Sequence, residues 1–107
     1  MSWSEKIWKE VVKKTNGKCV YCDIDLLVNF SIYMISSVEH IRPKIRGGSD
    51  KIENLTLSCI GCNVRLSKCE SETIDERKNY LENSSSKQRK LFEILQKELN
   101  RDGSAIK

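Results

Sequence analysis

The chain has one histidine, one proline and only 7% aromatic residues. It also has no long hydrophobic run. The longest charge-free stretch, Leu26 to Val38, is interrupted by Asn29, Ser31, Ser36 and Ser37. A bilayer span needs about 20 apolar residues, so neither a span nor a membrane partner is expected. No apolar segment follows Glu5 and Lys6, so no signal peptide is read and a cytoplasmic location is expected. Apolar mass is scarce as well: 38% hydrophobic residues stand against 32% charged in 107 positions. That length allows one small domain, 1–107, with a modest core that needs an extra staple. No internal repeat is visible beyond two Cys-x-x-Cys pairs.

The cysteines supply the staple. Four of the five form the pairs Cys19-Val20-Tyr21-Cys22 and Cys59-Ile60-Gly61-Cys62. An odd count in two tight pairs is unlike a secreted disulfide framework and suits an intracellular metal site. Each pair places two sulfurs about one ion apart, and together they complete a tetrahedral four-thiolate zinc shell with no open position. One pair alone would leave a redox dithiol open; two pairs bracketing a strand favour structural zinc. The 36 residues between Cys22 and Cys59 exceed the usual spacing of about 15–20. Zinc is therefore expected to clip the ends of an inserted unit that carries His40. Cys69 reads as a spare thiol.

Charge is concentrated. From His40 to Lys68 six bases face two acids, whereas the rest of the chain balances thirteen of each. The net +4 thus belongs to one central window, which points to a local anion-binding surface.

Periodicity predicts a helix over 3–15, with Ser2 and Glu5 at capping-box spacing, Trp8 and Val12 facing the centre and Asn16-Gly17 as its stop. Trp3 is assigned no role. Phe30 to Val38, rich in β-branched and aromatic residues, predicts a strand ending at Glu39-His40. Arg42 to Glu53 reads as a loop, Leu55 to Ser58 as a second strand and Gly61 to Ser67 as a short helix. The core is placed at 17–69. A C-terminal helical segment, 72–100, breaks at Asn83 to Ser86. Its stripe of Leu91, Phe92, Leu95 and Leu99 suits docking back on the core or dimerising.

Glu39-His40-Ile41-Arg42-Pro43, Gly47-Gly48-Ser49, Asn54-Leu55 and Cys59-x-x-Cys62-Asn63, in that order, resemble the His-Asn-His (HNH) endonuclease family over roughly Cys19 to Lys68. The resemblance implies an α+β fold: a small ββα-metal core braced by the structural four-cysteine zinc, with flanking helices. It further implies a divalent cation, Mg²⁺ or Mn²⁺, and DNA cleavage to a 5′-phosphate and a 3′-hydroxyl. His40 matches the general base, a role that suits a neutral imidazole. Glu39 and Asn63 match the two metal-binding positions; Glu39 keeps a hard carboxylate where Asp or His is more usual. Asn54 matches the central Asn, which braces the loop that orients the base.

Around these residues, Arg65 is the best candidate to contact the transition-state phosphate. Arg42, Lys44, Arg46 and Lys68 are candidate backbone contacts, which position nucleic acid without reading its sequence. The favoured function is a metal-dependent endonuclease on double-stranded DNA. It would act alone or within a defence or restriction system whose specificity lies elsewhere. The alternatives are a catalytically inactive zinc-braced nucleic-acid-binding module and a zinc module that binds a protein through its C-terminal stripe.

Overall fold

A computed structural model describes residues 3–101. Helix α1 spans Glu5–Lys14. Its cap is Ser4, whose Oγ accepts from Ile7 N at 3.2 Å; Ser2, the expected cap, lies outside the described residues. The helix closes as the spacing predicts. Gly17 N donates to Val12 O and Asn16 N to Lys13 O, with both residues at positive φ. The left-handed φ of 74° at Gly17 favours glycine, which packs against the exposed side chain of Leu27.

The expected strand over Phe30–Val38 is corrected. Phe30–Tyr33 forms a short helix, α2, and strand β1 covers only Ser36–His40. A local cap outweighs β propensity here: Asn29 Oδ1 accepts from Ile32 N at 2.9 Å. Tyr33 then accepts from Trp8 Nε1 at 2.8 Å, which fixes α2 against α1. Strand β2, Leu55–Cys59, pairs antiparallel with β1 and runs directly into helix α3, Ile60–Arg65. Helices α4, Ile74–Ser84, and α5, Ser86–Glu98, follow.

Every residue of β2 is buried. The register opposes Val38 to Leu57 and His40 to Leu55, while Ser37 faces Ser58 and Glu39 faces Thr56. Alternation therefore places Val38, Leu55 and Leu57 on one face, with His40 at its end, and Ser37, Glu39, Thr56 and Ser58 on the other. Leu55 and Leu57 join Val11 of α1, Leu26, Leu66 and Leu81 in the core. Six buried aliphatic side chains, at roughly 1.5–3 kcal/mol each, are a small core for a chain of this length. Lys14 adds a polar clip from α1, donating to Ile52 O at 2.8 Å and Leu55 O at 2.7 Å.

The C-terminal stripe does not dock back. Helix α5 buries no residue, and Leu91, Phe92, Ile94, Leu95 and Leu99 are exposed. No helix among the described residues is long and apolar enough to cross a membrane.

Candidate active site and metal cluster

The two Cys-x-x-Cys turns converge. The sulfurs of Cys19, Cys22, Cys59 and Cys62 all lie within 4.8 Å of one another. The Cys22–Cys59 separation is 3.8 Å. Tetrahedral zinc with Zn–S bonds of about 2.3 Å requires edges of about 3.8 Å, so the cluster fits that ion. Local structure aims each thiol. Cys59 caps α3, its Sγ accepting from Cys62 N at 3.4 Å, and Val20 N donates to Leu57 O, tying the first turn to β2. Burial pushes the Cys62 thiol up, and lifts Cys22 to about 11. Cys19 is also desolvated, but backbone hydrogen bonds at Cys22, Cys59 and Tyr21 hold it below its ordinary value. A bound cation would favour all four thiolates.

A second centre lies at the end of β1. His40, Glu39, Asn63, Lys44, Cys69 and Arg77 line a cleft of about 470 Å³. His40 Nε2 lies 2.7 Å from Asp50 Oδ1. The hydrogen bond to His40 and then that to Lys44, at 3.0 Å, hold the Asp50 carboxyl below its usual range. An ionised carboxylate only accepts, so Nε2 carries a proton, and in the neutral imidazole the free lone pair is on Nδ1. Trp3 lies beside the imidazole, with ring centroids 5.4 Å apart.

Asn54 closes the loop between the strands. Its Oδ1 accepts from Arg42 N at 2.8 Å, and its Nδ2 donates to Arg42 O at 3.0 Å and Ser49 O at 2.8 Å. The loop folds so tightly around this amide that a Cβ on Gly48 would sit 1.8 Å from Arg42 O. Asp50 reaches His40 because this clip returns the loop to the strand end.

Glu39 points to the polar face and is buried. Its Oε1 accepts from Tyr21 Oη at 2.5 Å and Arg77 Nη1 at 3.2 Å, and its Oε2 from Ser58 Oγ at 3.0 Å. Burial, reinforced by the Glu39 carboxylate, pushes the Tyr21 phenol well above its ordinary value, so it remains a donor. Asn63 on α3 donates through Nδ2 to Ser37 Oγ at 3.2 Å, leaving its amide oxygen for a cation. Carboxylate and amide oxygens are hard donors that fit Mg²⁺ or Mn²⁺.

The expected phosphate contacts are distributed differently from one another. Lys44 lines the cleft but pairs with Asp50. Arg42 approaches Glu72 at 3.6 Å. Arg46 donates to Glu70 O at 2.6 Å and lies 3.9 Å from Glu72. Lys68 is exposed. Arg65 is not brought to the cleft: it donates to Leu81 O at 3.2 Å and lines a separate groove with Ser85, Arg89 and Phe92. Conversely, Asp50, Tyr21, Trp3 and Arg77 enter the centre without a motif to announce them. Only Asp50 carries a signal, as an acid in the loop that follows the sole histidine.

Residues 19–68 match the family model described as HNH endonuclease. No curated protein and no solved structure matches the chain significantly. HNH domains are nucleases in general, and the match therefore suggests nuclease-type activity, with a four-cysteine cluster suited to zinc.

Proposed function

We propose that the protein is a divalent-metal-dependent endonuclease that hydrolyses phosphodiester bonds of double-stranded DNA, leaving a 5′-phosphate and a 3′-hydroxyl. The observation that carries this reading is the convergence of Glu39, His40 and Asn63 on one cleft, with the His40 tautomer fixed by Asp50. His40 Nδ1 takes the proton from the attacking water as general base. Asp50 holds the imidazole through Nε2 and stabilises the charge it acquires. Asn54 keeps the loop, and so Asp50, in register with the strand end. Glu39 and Asn63 would hold the catalytic cation, which supplies charge stabilisation at the scissile phosphate. Lys44, which lines the cleft, would contribute positive charge toward the incoming phosphate. The four-cysteine zinc is structural, since its four thiolates leave no position for substrate.

Supercoiled plasmid tests the reading. Zinc-loaded protein with Mg²⁺ or Mn²⁺ should nick it, and His40→Ala should lower the rate at least about a hundredfold, the usual span of a general base. An unnicked plasmid, or equal rates with and without His40, rejects it. One observation favours a second reading, a binding module without catalysis: Glu39 is already paired with Arg77. That reading predicts salt-sensitive DNA binding with no metal-dependent cleavage.

A further inference from the structure

Arg77 belongs to α4, outside the HNH segment, yet it reaches the floor of the cleft. It is buried, and all three of its nitrogens are committed. Nε donates to Ser71 O at 3.2 Å, Nη1 to Tyr21 Oη at 3.0 Å and to Glu39 Oε1 at 3.2 Å, and Nη2 to Ile41 O at 2.5 Å. These partners come from the first knuckle, β1 and the segments flanking the core, so the guanidinium cannot swing away without breaking several buried hydrogen bonds at once. Its charge is a fixed part of the centre.

The charge balance of the cleft follows. Among the described residues that line it, Glu39 is the sole acid, whereas Lys44 and Arg77 are both cationic. Asp50 stands nearby but is shared by His40 and Lys44. With Asp50 counted, Lys44 and Arg77 balance the two carboxylates, so without substrate the cleft has no negative charge to spare and Glu39 is already neutralised by Arg77. A divalent cation would have to share Glu39 with a guanidinium, and repulsion between like charges in a partly desolvated site is strong. Phosphate supplies the negative charge the cleft lacks. We infer that Arg77 makes cation binding conditional on nucleic acid: the free protein binds the divalent ion weakly, and the ion is retained only together with a phosphodiester. This rests on the reading of Glu39 and Asn63 as cation ligands. Linkage makes the coupling reciprocal, so the cation raises DNA affinity by the same factor by which DNA raises cation affinity.

The test is Mn²⁺ binding by electron paramagnetic resonance to full-length, zinc-loaded His40→Ala protein, with and without a saturating DNA duplex. Glu39→Gln serves as the control for Mn²⁺ held by the duplex itself. The expected result is an affinity at least tenfold higher with duplex. Arg77→Met should raise the duplex-free affinity at least tenfold and shrink the effect of duplex, whereas Arg77→Lys, which keeps the charge, should retain it. Equal affinity with and without duplex overturns the inference, as does Arg77→Met protein that is folded by circular dichroism yet unchanged in affinity. If Arg77→Met does not fold, the duplex comparison alone decides. Nicked plasmid combined with duplex-independent Mn²⁺ binding rejects this inference and leaves the nuclease reading standing. Absence of Mn²⁺ binding even with duplex rejects both.

Discussion

At the scale of single residues, Asp50 decides what His40 can do. Its carboxylate accepts from Nε2 and so leaves Nδ1 as the basic atom. Asp50→Asn removes the charge that enforces this tautomer. Turnover is expected to fall about 10- to 100-fold, the scale seen when a partner that orients a histidine is lost, while DNA affinity stays nearly unchanged; nicking rates beside binding isotherms check both. The pH dependence has a definite sign. Because the folded protein holds the Asp50 carboxyl below its ordinary value, the contact is intact above the usual carboxylate range and is lost as pH falls through the depressed value. Much of this centre is legible in the sequence. His40 is the only histidine, and Asn54 and Asn63 stand at fixed steps from strand and cysteine. Tyr21, Arg77 and Trp3 are not legible. They are common residue types delivered by docking of distant segments, and no spacing rule connects Arg77 to a carboxylate 38 positions earlier.

At the scale of elements, polar anchoring and apolar burial divide the chain. The strands, α3 and the knuckles are readable because zinc ligands, a buried run and a helix directly after Cys59 constrain one another. Phe30–Tyr33 is the exception. Residue preference alone favours a strand there, and the Asn29 cap together with the Trp8–Tyr33 hydrogen bond reverses it. Helix α5 shows the opposite case. Its stripe is real as a sequence pattern, but no element among the described residues covers it. A chain ending at Ser85 should therefore keep the thermal stability of the full protein to within about 0.5 kcal/mol, the usual scale for surface changes. Thermal unfolding of the two forms, measured side by side, checks this.

At the scale of the molecule, a metal in the four-cysteine cluster is expected to govern both stability and charge. Among the described residues six aliphatic side chains are buried, too few to offset the ordering of a long inserted loop, so zinc held by the four-cysteine cluster is expected to carry the deficit. Stripping zinc with a strong chelator should abolish cooperative unfolding and the helical circular dichroism of the central segment, and Cys59→Ser should do the same. Apparent zinc stabilisation in small domains is about 10–16 kcal/mol, more than a fold of this size holds in reserve. Four thiolates and one zinc ion lower the net charge by two from the formal +4. Acids outside the basic window also engage it: Glu70 and Glu72 approach Arg46, and Glu72 approaches Arg42. The concentration of positive charge seen along the sequence is thus softened in space.

The indole of Trp3 adds one practical consequence. It rests against the imidazole of His40, while Trp8 is held away by Tyr33. Excited indoles are quenched by a protonated imidazole in contact and brighten when the proton leaves. In a Trp8→Phe background, the emission of Trp3 becomes an optical gauge of the protonation of His40, readable in a stopped-flow instrument while the protein meets its substrate.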